Sequence, residues 1–399
     1  MKEESCSMID YTSLLSKTVV NTKPSGIRKF FDLLANMDDV VALTVGQPDF
    51  VTPWHIREAG IESLEKGKTY YTSNSGVPEL RQEIVSYLKR RFGLDYNYKK
   101  EVIVTVGGSE AIDIAIRAVV EYGQGDEVII PSPSFVCYEP LVRLAGGNPV
   151  IIETKREDNF KLTAEALKKA ITPHTKMLVL PYPNNPTGAI MEEHELLQIA
   201  DVLRGTDIAV LSDEIYAEMT YGTTHKSIAA LPDMWERTIL VSGLSKSYAM
   251  TGWRIGYLCA PAPLAEQMLK IHQYAIMCAP TTAQLAAVEA MKNGDGDIEM
   301  MVGEYNRRRS HIYNGLNSIG LECFEPKGAF YIFPKLSDYG LSSEEFCERL
   351  LHEQKCAIVP GNAFGESGEG YARISYAYSV KHIDEALERI ESFVKKIKK

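Results

Sequence analysis

Lys246 stands among small residues, Ser245-Lys246-Ser247, just after the apolar run 238–241. An amine held there, partly out of water, has a lowered proton affinity and suits imine chemistry, whereas most lysines are simply solvated surface. Eight residues on, Arg254 lies in Gly252-Trp253-Arg254-Ile255-Gly256, a setting suited to gripping a phosphate or a carboxylate. A second apolar run, 208–211, ends in Ser212-Asp213-Glu214-Ile215-Tyr216. An acid at the end of a buried strand must reach water or find a cationic partner; the plain alternative is a helix N-cap at Asp213. A third run, 102–106, leads into Gly107-Gly108-Ser109-Glu110. Two glycines let the backbone turn there, Ser109 opens a helix, and free N–H groups with the helix dipole form an anion cradle. Alone it is an ordinary joint, and it is neither of the glycine-rich loops that bind nucleoside triphosphates or dinucleotides.

These residues need a scaffold, and the chain supplies one in alternation. Apolar runs at 102–106, 127–130, 150–152, 177–180, 208–211, 238–241 and 255–258 read as strands. All but the last are nearly continuous in apolar residues, the pattern of a mainly parallel sheet covered by helices on both faces. Helical patterns fall between them at 110–120, 164–170 and 193–203. Open sheets of this kind bind ligands outside the carboxyl ends of their strands, where all three sites lie. The turn Pro181-Tyr182-Pro183-Asn184-Asn185-Pro186-Thr187-Gly188 follows another strand end, with Asn185-Pro186 a candidate cis bond. Jointly the pieces propose one site: a phosphate on helix N-termini and Arg254, an imine-forming Lys246, and an acid at Asp213. Pyridoxal phosphate needs that set, an aldehyde for the lysine, a carboxylate for the ring nitrogen and an anchor for the phosphate.

Residues 1–45 and 290–399 carry long helical stretches with strands at 330–333, 357–359 and 372–376, so the two ends are expected to pack as a small α+β domain beside a large domain of residues 46–289. The expected fold class is therefore α/β, a three-layer α/β/α sandwich plus that smaller domain. With 399 residues, 45% of them hydrophobic and 24% charged, the chain has the material for a large core and is neither disordered nor fibrous. A net charge of −10 argues against nucleic acid and anionic membranes as partners. The basic end, Lys395 to Lys399, reads as a helix C-terminus complementing its dipole. Seven scattered cysteines without C-x-x-C fit neither a disulfide framework nor a zinc knuckle, and with no apolar leader or membrane span they point to a soluble, cytoplasmic protein with no metal.

Asn184-Asn185-Pro186-Thr187-Gly188, Ser212-Asp213-Glu214-Ile215-Tyr216, Ser245-Lys246 with Arg254, and Arg373-Ile374-Ser375 occur in order across the chain. In these motifs the sequence resembles the class I/II aminotransferases of the type I pyridoxal-phosphate fold over essentially its whole length. Pro24-Ser25-Gly26-Ile27-Arg28-Lys29-Phe30 and Val45-Gly46-Gln47-Pro48-Asp49-Phe50 are similar to the bacterial aminotransferase A, or N-acetyl-diaminopimelate, group. The resemblance implies that Lys246 is the Schiff-base lysine, Asp213 the partner of the pyridine nitrogen, and Tyr216 and Asn185 the contacts of the ring oxygen. It implies that Arg254, Ser109 and the backbone at Gly108 and Glu110 hold the phosphate, with Phe135 stacked on the ring. Many relatives bring a hydroxyl to the phosphate from three positions before the lysine; here that residue is Gly243, which leaves Ser242 or Ser245 for the contact. Tyr71 matches a tyrosine that reaches the neighbouring subunit's phosphate, so a homodimer with shared sites is implied. Arg373 takes the substrate α-carboxylate, with Asn185 beside it and Gly46 closing over it. In some aspartate enzymes of the group a lysine occupies the place of Ser109 and receives the distal carboxylate; its absence here counts against strict aspartate specificity. The activity implied is transamination between an amino acid and a 2-oxo acid such as 2-oxoglutarate, the donor being aspartate-like, N-acetyl-diaminopimelate or broad. The alternatives are a pyridoxal-phosphate C–S lyase, which shares most of these contacts, and a transcription regulator, for which no helix-turn-helix precedes Gly46.

Overall fold

A computed structural model describes residues 9–24, 26 and 37–398. The motif at 24–30 therefore lies almost wholly outside the described residues, as do Cys6 and Lys399.

The strands, in chain order, are β1 (Val41–Ala42), β2 (Val102–Thr105), β3 (Glu127–Ser132), β4 (Asn148–Glu153), β5 (Thr175–Leu180), β6 (Ala209–Asp213), β7 (Thr238–Gly243), β8 (Gly256–Cys259), β9 (Tyr331–Ile332), β10 (Cys356–Ala357), β11 (Val359–Pro360) and β12 (Ala372–Ser375). Seven of them form one sheet in the order β2-β8-β7-β6-β5-β3-β4. Pairing is parallel except for β8, which runs antiparallel to both β2 and β7. The other six strands consequently point the same way. The carboxyl ends of β2, β3, β5, β6 and β7 open on one edge, and β8 starts there, with Gly256 opposite both Thr105 and Gly243.

Val102–Thr105 is buried at every residue, and the middle strands β5 to β7 are nearly so, as helices on both faces require. β4 departs from that expectation. It pairs only with β3 and alternates toward solvent, because an edge strand has one neighbour and is covered less completely. The helices expected at 164–170 and 193–203 form as Ala164–Ala170 and Glu193–Leu203. The first has Thr163 as its N-cap and the second a reciprocal Glu192/Glu195 capping box.

Three local expectations are corrected. The helix placed at 110–120 runs Gly107–Val119, so Ser109 sits within its first turn and does not open it. Its N-cap, Val106, has no capping side chain; Glu110 instead turns back to accept the Val106 N–H at 2.5 Å. Asp213 caps no helix, since β6 runs through it into a turn where its Oδ1 accepts the Ile215 N–H. The strand read at 357–359 is broken at Ile358, the chain leaving β10, paired with β1, to enter β11, paired with β12. Before residue 41 the helices Tyr11–Leu14 and Lys17–Asn21 are described, and the rest of the helical stretch expected there falls largely outside the described residues.

Beyond the large sheet, β1 pairs with β10 and a three-stranded sheet runs β11-β12-β9. Helices Asp295–Ile319, Ser343–Gln354 and Val380–Ile397 pack there around one apolar cluster that takes in Val41 and Leu43 as well as Phe330, Phe346, Ile374 and Phe393. The same cluster includes Tyr216, Met219 and Ala249, so its core is continuous with the sheet edge that bears the polar residues. Burial of this extent removes apolar surface from water at roughly 25 cal/mol per Å², the main force holding the two layers together. Among the described residues no helix is long and apolar enough to cross a membrane.

Candidate active site

Outside the strand ends lies a cavity of about 250 Å³ whose wall includes Lys246, Arg254, Arg373 and Asp213. Each comes from a different turn of chain. Lys246 rides on the one-turn helix Leu244–Ser247, which begins directly where β7 ends. Its Nζ donates to the Gly46 carbonyl at 2.6 Å and lies 5.9 Å from the Tyr216 ring centre and 6.0 Å from that of Phe330. Burial pushes the amine down to about 8, helped by the positive charges of Arg373 and Arg254, while Asp213 opposes the shift. A lysine in this state is neutral often enough near neutral pH to act as a nucleophile or a base.

Asp213 is buried at the end of β6. Burial pushes its carboxyl up from the usual range, and hydrogen bonds from Tyr138 (2.7 Å to Oδ2) and the Ile215 N–H (3.2 Å to Oδ1) pull it back. Behind it Glu214 is buried too, but its oxygens are taken by Ser212, Ser227 and His225 at 2.6–2.8 Å, so that acid is satisfied away from the cavity. Asp213 is thus the carboxylate left to meet a ligand.

Gly107 and Arg254 explain each other. Gly107 has φ +74°, and a Cβ there would lie 2.5 Å from the Arg254 guanidinium. Only glycine combines that backbone with so close an approach. Arg254 itself holds φ 53°, an uncommon conformation for an arginine, and donates from Nη1 to Thr251 O at 3.2 Å. The first-turn N–H groups of the helix from Gly107 lack intrahelical acceptors, so helix end and guanidinium together make a positive corner.

Arg373 faces this corner from β12. Its guanidinium carbon lies over the rings of Tyr331 and Phe364, 4.6 and 4.7 Å from their centres. Nη1 donates to Asn185 Oδ1 at 3.0 Å and Nη2 to Thr44 O at 2.6 Å, leaving a buried Nε without a partner. A fork so fixed, with donor capacity in hand, suits a carboxylate.

Of the residues singled out in the sequence, Gly46, Gly108, Ser109, Phe135, Asn185, Tyr216 and Ser245 also line the cavity. Ser242 does not; its hydroxyl lies 3.4 Å from Glu214 O. Glu110 is beside the cavity and not in its wall, its carboxylate joined to Val106 and to His272 Nδ1. Tyr71 is not in its own chain's cavity wall and is 79% exposed. Two polar wall residues, Tyr138 and Tyr331, are not among those the sequence singles out. Tyr138 carries the donor to Asp213, and its place three residues after Phe135 was the available signal. Tyr331 shares a hydrogen bond with Tyr216 at 2.8 Å, and a Cβ on Gly46 would lie 2.6 Å from its hydroxyl; inside the apolar run 330–333 it gave no signal of a polar role.

The cavity fits pyridoxal phosphate on the chemistry of its donors: an amine of lowered basicity, a buried carboxylate in the cavity wall, a positive helix corner, and a second guanidinium with an unused buried donor.

Comparison with known proteins points to one family. Residues 38–390 match the family model described as aminotransferase class I and II. A Bacillus subtilis protein named "Probable N-acetyl-LL-diaminopimelate aminotransferase" is 46% identical over 96% of this chain and 96% of its own. The solved structure of an aromatic aminotransferase from Pyrococcus horikoshii superposes with a TM-score of 0.88 at 44% identity, covering 92% of this chain and 99% of that one. That of an aspartate aminotransferase from Thermus thermophilus with maleate gives 0.90 at 39% identity, covering 95% and 99%.

Proposed function

The chain belongs to the class I and II aminotransferases and is a pyridoxal-phosphate-dependent transaminase of fold type I, and from that premise we propose how its residues divide the work. The observation that carries the reading is the Lys246 amine in one cavity with Asp213, Arg254 and Arg373. Bound there, the cofactor supplies an aldehyde that amines condense with and a ring that accepts electrons while its nitrogen is protonated.

Lys246 would hold the cofactor through its amine. Arg254, Ser109, Ser245 and the N–H groups of Gly108 and Glu110 would hold the phosphate, with Ser245 preferred over Ser242 because it lines the cavity. Asp213 would keep the ring nitrogen protonated, Tyr216 and Asn185 would bond the ring oxygen, and Phe135 would cover one face. At roughly 4 Å and an effective dielectric of about 20, an acid and a pyridinium attract by about 4 kcal/mol before desolvation. Arg373 would receive the α-carboxylate through its fork, with Asn185 setting the fork's angle and Gly46 closing over it. With its amine free, Lys246 Nζ would be the base that takes and holds the proton lost from the substrate Cα. The Gly46 carbonyl, which accepts from Nζ at 2.6 Å, would steady the free amine.

The proposed overall reaction is ping-pong, an L-amino acid leaving as its 2-oxo acid and 2-oxoglutarate taking the amino group. The large domain, 46–289, would carry the cofactor, and the small domain, 1–45 with 290–399, the α-carboxylate grip. Tyr71 would complete the partner subunit's phosphate site in a homodimer, which explains its exposure in a single chain. The donor is aspartate-like, N-acetyl-diaminopimelate or broad; Ser109 offers no charge to a distal carboxylate, which weighs against strict aspartate use. Assaying individual amino donors with 2-oxoglutarate decides this. Several donors should form glutamate at comparable kcat/KM, and turnover confined to aspartate would overturn the specificity reading.

A further inference from the structure

Residues 70–77 form a loop between helices Trp54–Glu65 and Pro78–Phe92 that is exposed at Tyr70, Tyr71 and Ser73 and tied down from beneath. Gln284, fully buried in helix Thr281–Asn293, accepts the Val77 N–H at 2.7 Å. Its Nε2 donates to Thr72 Oγ1 at 3.0 Å and to Ala279 O at 2.8 Å. Thr281 Oγ1 donates to Tyr70 O at 2.7 Å, and Asn74 Nδ2 to Met277 O at 2.8 Å. The ties flank one residue, Tyr71. Among the described residues its hydroxyl has no partner within its own chain.

A buried amide is costly unless every donor and acceptor is used, so placing one under an exposed loop makes sense where the loop's position matters. Nothing in the chain's own cavity needs it, since Tyr71 does not reach that cavity. Beside the loop, Ile276 and Met277 are also exposed, at 41% and 45%, which makes the surface one that a second copy of this chain would cover. We propose that Gln284 is a positioning residue for the partner subunit's active site, holding the loop so that Tyr71 arrives at the partner's phosphate corner already ordered. This rests on the shared-site dimer proposed above. Pre-ordering removes the entropy that a free loop would lose on reaching the phosphate, and a misplacement of about 1 Å can cost on the order of a hundredfold in rate.

The test is complementation between chains. Gln284→Met keeps the side chain's size and removes its hydrogen bonds; as a homodimer it should bind pyridoxal phosphate about tenfold more weakly and turn over correspondingly less. Thr281→Val, which cuts the Tyr70 tie at the loop's edge, should act in the same direction and serves if Gln284→Met fails to fold. Each variant is co-expressed with Lys246→Ala under two affinity tags and the mixed dimer isolated. In that dimer the intact Lys246 receives Tyr71 from a chain with an intact loop, so one of two sites is restored and about half of wild-type activity returns. That site should also bind pyridoxal phosphate with wild-type affinity in an absorbance titration. A homodimer that behaves as wild type, or a mixed dimer no better than the variant homodimer, overturns the inference. Tyr71→Phe paired with Lys246→Ala is the control: its failure to recover sinks the shared-site reading itself, whereas recovery for Tyr71 but not for Gln284 sinks only the positioning role.

Discussion

Replacing Tyr138 with phenylalanine removes one oxygen from the wall of the cavity and leaves everything else in place. The ring still packs edge-on against Phe135, 6.1 Å between centres, and the position is buried, so no void opens. What disappears is the 2.7 Å donor to Asp213 Oδ2, leaving that carboxylate only the 3.2 Å Ile215 N–H. A hydrogen bond to a charged group is worth about 1.5–3 kcal/mol, so a loss of about 2 kcal/mol pushes the carboxyl further up and weakens the charged form roughly thirtyfold. The shift adds to the upward push that burial already exerts. With Asp213 less able to keep the ring nitrogen protonated, kcat should fall between about tenfold and a hundredfold. KM for the amino acid should change little, because Tyr138 does not bond the Arg373 fork. The acid limb of the pH–rate profile should move up with the carboxyl. Steady-state kinetics from pH 5 to 9 measure all three effects. A variant with kcat within about twofold of wild type and an unmoved acid limb would refute the assignment of Asp213 and of its donor.

Two further outcomes follow from the same wall. Arg373→Lys replaces a fork lying over two aromatic rings with a point charge, so kcat/KM should drop about a hundredfold for every donor alike; a loss confined to donors of one side-chain type would place Arg373 at the distal group instead. In cofactor-free protein the Lys246 amine sits at about 8 when folded against an ordinary 10.5, so between those values the unfolded chain binds the extra proton and stability rises with pH. Lys246→Met lacks that penalty and should be more stable than wild type by about 3 kcal/mol at pH 7, the gap closing toward pH 10.5. Urea denaturation of both proteins across that range measures it, and a gap independent of pH would contradict the buried-amine description.

Much of the site was legible because its residues interrupt apolar runs. Asp213 and Lys246 stand where strands end, and a charge in that position has few structural reasons to exist. Gly107 was readable as a turn, but its closeness to Arg254 was not, since that contact comes from Gly256 pairing opposite Thr105 across antiparallel strands. Tyr331 sits in an apolar stretch and reads as core. Its polar role arises only because β9 pairs with β12 and brings it under Arg373. The helix start was misplaced because the cap comes from Glu110, reaching back from inside the helix, and no side chain at Val106 announces it. The break at Ile358 was hidden for a similar reason: one apolar run serves two sheets, and its register is decided by β1 and β12, hundreds of residues apart in sequence.

The most direct measurement is covalent. Purified protein incubated with pyridoxal phosphate, reduced with borohydride and digested should yield one modified peptide, and mass spectrometry should place the added group on Lys246. The same treatment of Lys246→Ala should leave no labelled peptide. Label on another lysine, or none on the wild-type chain, would contradict the assignment of the amine on which every step proposed above depends.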